Sequence, residues 1–383
     1  MLNSLISLMA LAGPWTAARA TTFVDASATM IPMAITNGAT MDMEFADLDG
    51  DGWSDLVLAA EFGQNAILFF REGRYVHGVE ALPQDVLHDS EDIAIADLDG
   101  DGDPDLVFAS EDDQRNEVYL NDGQGSFSDA TDRLPVTGTS NSVAAFDANG
   151  DGHVDLLFGN NGRNELVLND GEARFTLAAE AFPAAVDITQ DIELGDLDGD
   201  GDLDVVLANE NANRILRNEG DGTFADVTEQ ALGWRQEEET READLADVDG
   251  DGDLDLYFAN VGWAGHNPQD ALLLNDGQGR FTPAPEGALP AFADFSLDVD
   301  FADLDGDGDL DAITARLAPS LGQPVNLLLN DGTGRFRLAN ELIPEASVGL
   351  GVDVEVADFD HDGLPDIYVT NFRPGDRLLL GSR

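Results

Sequence analysis

The sequence predicts an all-β chain folded as a seven-bladed β-propeller, and three observations lead there. An acidic frame, D-x-[DN]-x-D-G-x-x-D, starts at Asp47, Asp97, Asp147, Asp196, Asp247, Asp303 and Asp358, at intervals of 50, 50, 49, 51, 56 and 55. A period near 50 residues suits one four-stranded blade. Every frame is flanked by short strand-like segments joined by Gly/Asn/Asp turns, and helical periodicity is nowhere sustained. Finally, the two ends of the chain complement each other. The last unit stops at LLLGSR, where other units turn into a fourth strand, while TTFVDASATMIP (21–32) looks like the fourth strand GSFSDATDRLP (125–135).

Taken in order, residues 1–20 read as a secretory signal: an apolar stretch from Leu5 to Leu11 ends in Ala18-Arg19-Ala20, a small-residue cleavage pattern. An uncleaved membrane anchor is the alternative, since the early part lacks Lys and Arg. Cleavage leaves residues 21–383 as one exported domain with no further span, secreted, periplasmic or at the cell surface. Within each unit an alternating segment such as DIAIAD precedes the frame. An apolar run such as DLVFAS follows it, then EVYLND, an NDG turn, and GSFSDAT. The N-terminal strand completes the last blade, because an open solenoid would need polar caps at both ends whereas a closed ring has no open edge.

Composition narrows the partners. The net charge is −59, from 77 acids against 18 basic residues, all of them arginine. Such a surface repels nucleic acid and anionic lipid, so cations or cationic surfaces are the fitting partners. A halophilic source would produce the same acid-rich, lysine-free balance. Hydrophobic residues at 43% still support a packed core, and with no cysteine the fold rests on packing or on oxygen-ligated metal.

The frames carry the chemistry. Calcium takes six to eight oxygens, and a loop offering carboxylates at positions 1, 3 and 5, a carbonyl at 7 and a further acid can wrap it. The five residues are Asp97, Asp99, Asp101, Asp103 and Asp105 in the second unit, with Gly102 allowing the sharp turn. They are Asp47, Asp49, Asp51, Trp53 and Asp55 in the first, and Asp147, Asn149, Asp151, His153 and Asp155 in the third. The fourth and fifth supply Asp196, Asp198, Asp200, Asp202 and Asp204, then Asp247, Asp249, Asp251, Asp253 and Asp255. Asp303, Asp305, Asp307, Asp309 and Asp311 form the sixth, and Asp358, Asp360, Asp362, Leu364 and Asp366 the seventh. No nearby Lys or Arg is expected to offset these charges. The side chains of His153 and His361 are expected to be bystanders. The repeated frame followed by an apolar strand resembles the FG-GAP/VCBS repeats of the integrin α-subunit propeller. Elements such as Phe127-x-Asp129-x-Thr131 look more like the bacterial and cartilage-acidic-protein branch. The resemblance implies a structural Ca²⁺ site, up to seven in all, in each hairpin loop between first and second strands.

Eleven further acids lie on the innermost strands: Asp42, Asp92, Asp191, Glu242, Asp298 and Asp353 five residues before a frame, and Glu44, Glu193, Asp244, Asp300 and Glu355 three before. Alternation puts both sets on one side, as an acidic funnel on the axis or as hydrogen-bond acceptors for neighbouring strands. No hydrolase, zinc, P-loop or dinucleotide motif is present, and Tyr119, Tyr257 and Tyr368 lie on core-like runs. No catalytic residue is assigned. The expectation is a non-enzymatic, monomeric binding or adhesion module for an unknown protein or glycan; a calcium-dependent polysaccharide lyase or a lectin is the alternative. The partner site is expected on the face opposite the loops, at Trp234, Arg235, Trp263 and His266, where aromatic and arginine residues fall on the longest connections. Burial of Trp263 beneath its loop is the competing expectation.

Overall fold

In the computed structural model, which describes residues 21–382 apart from 33–38, 84–88, 112–113, 184, 234–237, 266, 292–294, 318–321, 346 and 374, each expected unit is a four-stranded antiparallel sheet. The second unit shows the pattern. Its innermost strand, Ser90–Ala96, pairs with Asp105–Ser110, that with Glu117–Asn121, and that with Phe127–Asp129. All six residues of Asp105–Ser110 are buried, because this strand is covered on both faces and so reads as a continuous apolar run. Units three and four are joined into one sheet by pairing of Asn161 and Gly162 with Ile188 and Asp187.

The ring closes as the two termini predict. Thr22–Asp25 pairs with Arg377–Ser382, from Thr22 opposite Ser382 to Asp25 opposite Leu379. One helical turn, Ser27–Met30, follows and sends Met30 and Ile31 into a cluster with Met43, Leu56 and Tyr75 of unit one and Phe359 and Tyr368 of unit seven. Among the described residues the core consists of seven such wedges, each between two neighbouring units. Each unit therefore buries its apolar faces only when both neighbours are present. Residues 1–20, read as a signal, lie outside the described residues, and no helix among those described is long and apolar enough to cross a membrane.

Innermost strands carry a bulge at their start, for instance between Thr40 and Asp42, Ser90 and Asp92, and Ser296 and Asp298. A bulge re-aims the side chains beside it. Beyond it, all eleven innermost-strand acids line a single axial cavity of about 1200 Å³. Between them, Met43 and Val354 turn away into the core.

Candidate metal centres

Each acidic frame folds as the turn between the first and second strands. In the second loop Asp97 organises the backbone, its Oδ1 accepting the Gly100 N–H at 2.8 Å and its Oδ2 the Gly102 N–H at 3.1 Å. Gly102 sits at φ +95°, a conformation open to glycine and strained for other residues. Asp101 Oδ1 accepts the Asp103 N–H at 3.0 Å. One carboxylate oxygen from each of Asp97, Asp99 and Asp101 falls within 4.8 Å of the others, as do those of Asp196, Asp198 and Asp200 and of Asp247, Asp249 and Asp251. The side chain at position 7 points elsewhere: a Cβ on Gly123 would lie 2.4 Å from Asp103 Oδ2, and His153 covers Gly171 in the same way. His361 meets Trp53 edge to face at 4.3 Å.

The donor set suits a hard cation: oxygens only, clustered, with Asp99 Oδ1 and Asp358 Oδ1 buried and lacking any hydrogen-bond partner. In the third loop Asn149 Oδ1 accepts the Asp151 N–H at 2.9 Å, the bond its neighbours make with a carboxylate.

The ninth-position Asp has a second job that sequence reasoning missed. Asp105 is fully buried, with Oδ2 accepting the Leu98 N–H at 2.9 Å and Oδ1 the Asn121 N–H at 2.8 Å, so it ties the loop to the third strand. The same two bonds recur from Asp55 to Asp366. Burial pushes the Asp105 carboxyl up to about 7 and that of Asp366 to about 8.

One expectation fails at the first loop. Arg71 reaches into it, pairing with Asp49 and lying 2.9 Å from Asp51 and 3.9 Å from Asp55, so a basic group does offset this cluster. Its approach is set by the turn F-R-E-G, which replaces the N-D-G turn of units two, three, five and six.

That N-D-G asparagine is also more than a turn residue. Asn121 Nδ2 donates to Pro104 O at 3.0 Å in its own loop and to Leu48 O at 2.9 Å in the loop of the unit before. Asn169, Asn218, Asn275 and Asn330 repeat this two-way bond. Unit one substitutes Tyr75, whose hydroxyl donates to Phe359 O at 3.3 Å. Only the offset of one unit, invisible in a linear pattern, discloses these links.

The innermost acids are shared between two roles. Asp92, Asp191, Asp298 and Asp353 each accept a backbone N–H from the next unit: Val143 at 2.6 Å, Ala243 at 3.2 Å, Val354 at 2.6 Å and Met43 at 3.1 Å. They also face the cavity, where burial raises Asp191 to about 8, Asp298 to about 6 and Asp300 to about 7. Tyr119, Tyr257 and Tyr368 are buried, and the last two donate to Asp270 at 2.8 Å and Asp376 at 3.1 Å.

Of the expected partner residues, Trp234, Arg235 and His266 lie outside the described residues. Trp263 is 38% exposed at the cavity rim opposite the loops, with the Arg241 guanidinium 4.3 Å from its ring centroid and Phe295 edge-on at 6.1 Å.

Among solved structures, BBS1N in complex with ARL6DN is 12% identical, with a TM-score of 0.62 over 95% of this chain and 98% of that one. The extracellular domain of the putative one component system BT4673 from B. thetaiotaomicron is 11% identical, with a TM-score of 0.57 over 93% of this chain and 39% of that chain. An Agrocybe aegerita lectin that recognises non-reducing terminal N-acetylglucosamine is 18% identical at a TM-score of 0.49, covering 88% of this chain and 86% of its own. These likenesses concern the fold. No curated protein sequence matches the chain. The FG-GAP-like repeat family matches at residues 97–158, 147–207, 196–258, 247–314 and 317–369, more than half of the chain, and the protein belongs to that family.

Proposed function

We propose that the protein is an exported binding module whose ring is held by calcium in its acidic loops and whose partner, a protein or glycan, docks on the face opposite them. The observation that carries the calcium reading is the clustering of Asp97, Asp99 and Asp101 within 4.8 Å, with Asp99 Oδ1 buried and without a hydrogen-bond donor. Carboxylates this close repel unless a cation lies among them, by roughly 4 kcal/mol per pair at 4 Å and an effective dielectric near 20. A bound Ca²⁺ would supply that charge and fix the loop; the side chains at positions 1, 3, 5 and 9 and the carbonyl at 7 would hold it. The first loop is the exception, since Arg71 already sits among its acids.

Support for the docking face is the Trp263–Arg241 pair, a half-exposed ring beneath a guanidinium at the rim of the cavity. Aromatic and arginine residues are favoured anchors at binding surfaces. The test has two arms. Asp101→Ala should lower the melting temperature in calcium and leave it unchanged in metal-free buffer; no calcium effect on either protein would sink the loop reading. A glycan and protein-ligand array on the calcium-loaded chain then supplies a ligand, whose binding should weaken at least tenfold in Trp263→Ala with the melt unaltered.

A further inference from the structure

The axial cavity holds an inconsistency that the seven loops do not explain. Four acids at the same register each brace the next unit by accepting its backbone N–H. Asp42 stands at that register in unit one and braces nothing. The N–H it would take is that of Ile93, and Asp92 Oδ1 already holds it at 2.7 Å. Asp42 Oδ2 is out of contact with solvent and takes no amide or hydroxyl hydrogen bond. Asp92 is its side-chain hydrogen-bonding neighbour, and Asp353 and Glu44, which line the same cavity, add negative charge to it. Asp92 Oδ2 is itself engaged with the Val143 N–H.

Two carboxyl groups in contact, each otherwise an acceptor, need a proton or a metal cation between them. None of the described side chains brings a positive charge there. Among the described residues Arg241 is the one basic side chain lining the cavity, and its guanidinium is engaged at the rim with Gln190, Glu239 and Trp263. The cavity, about 1200 Å³, is ample for partly hydrated ions, since a water occupies about 30 Å³. Asp42 precedes its loop by five residues, or roughly 16 Å along a strand. This is therefore a place distinct from the acidic loops.

We propose that the axial cavity binds divalent cations, first at Asp42 and Asp92 with Glu44 and Asp353 completing the oxygen set, as a site separate from the hairpin loops. Its ligand class is a hard cation, calcium, magnesium or manganese, because every facing donor is a carboxylate oxygen.

The experiment counts metal per chain by mass spectrometry and by calcium titration for the full-length protein, Asp42→Asn, Asp42→Asn/Asp92→Asn and the loop variant Asp101→Ala. The axial double variant should bind one ion fewer than the parent, the loop variant one fewer, and their combination two fewer. A loss in Asp101→Ala alone would overturn the axial site and leave the loops standing. A loss in the axial variants alone would do the reverse. Melting gives a second readout that needs only the single substitution. In metal-free buffer Asp42→Asn should melt above the parent, since it relieves a repulsion; in millimolar calcium it should melt below. The same order in both buffers, with an unchanged ion count, means that a shared proton bridges Asp42 and Asp92, and the proposal is wrong.

Discussion

At the scale of single residues, the ninth-position aspartates tie metal to folding. Asp105 accepts two backbone amides yet is fully buried, and burial raises its carboxyl from an ordinary 3.8 to about 7. A folded-state pKa above the unfolded value means that the stabilising contribution is complete in acid and is lost as pH rises through the folded value. Asp55, Asp155, Asp204, Asp255 and Asp311 share the shift to about 7, and Asp366 reaches about 8. The metal-free protein should therefore melt progressively lower between about pH 5 and pH 8, while millimolar calcium flattens that slope by favouring the ionised form. A metal-free melting temperature that climbs over this range would contradict the account. Arg71 supplies a second prediction. Replacing it by Gln removes the guanidinium from Asp49 and Asp51, so calcium titration of Arg71→Gln should show one more ion per chain than the parent. An unchanged stoichiometry would mean that Arg71 and calcium do not compete.

At the scale of elements, the joints between blades are polar as well as apolar. Asn169 donates to Leu98 O in the preceding loop at 2.8 Å and to Val154 O in its own at 2.9 Å, and it is buried. Asn169→Ala strands two carbonyls and should destabilise by about 1–3 kcal/mol in urea unfolding. A surface turn asparagine would give less than about 0.5 kcal/mol. A matching series runs on the other face, where Asn65, Asn116, Asn164 and Asn213 each donate to a Ser or Thr at the start of the next inner strand, at 2.8 to 2.9 Å. Asp270 and Asp376 take that place in units five and seven, accepting from Ser296 and Thr40 and from the buried Tyr257 and Tyr368. Those two tyrosines thus serve the joint, which accounts for their place on core-like runs.

At the scale of the whole molecule, closure makes seven marginal units one cooperative fold. The wedge between units seven and one is filled from the N-terminal segment by Met30 and Ile31, and Phe23 packs in the wedge between units six and seven. Deleting residues 21–32 should strip two wedges and expose the edge of Arg377–Ser382. The truncated protein should aggregate or unfold over a broad range; a sharp melt at the parental temperature would show that the ring does not depend on this strand.

By itself the sequence determined the blade count, the strand order within a blade, the closure by the N-terminus and the seven acidic loops, because each is written in residues near one another or in a fixed period. The shared face of the eleven innermost acids was legible too, through alternation alone. Only the tertiary structure decided what depends on neighbouring blades. Arg71 enters the loop of its own blade from the third strand, Asn121 serves the loop one unit back, and Asp42 is left without an amide donor because Asp92 has taken the Ile93 amide. Such relations are set by the rotation between adjacent sheets and by competition for one N–H, and a linear period contains neither.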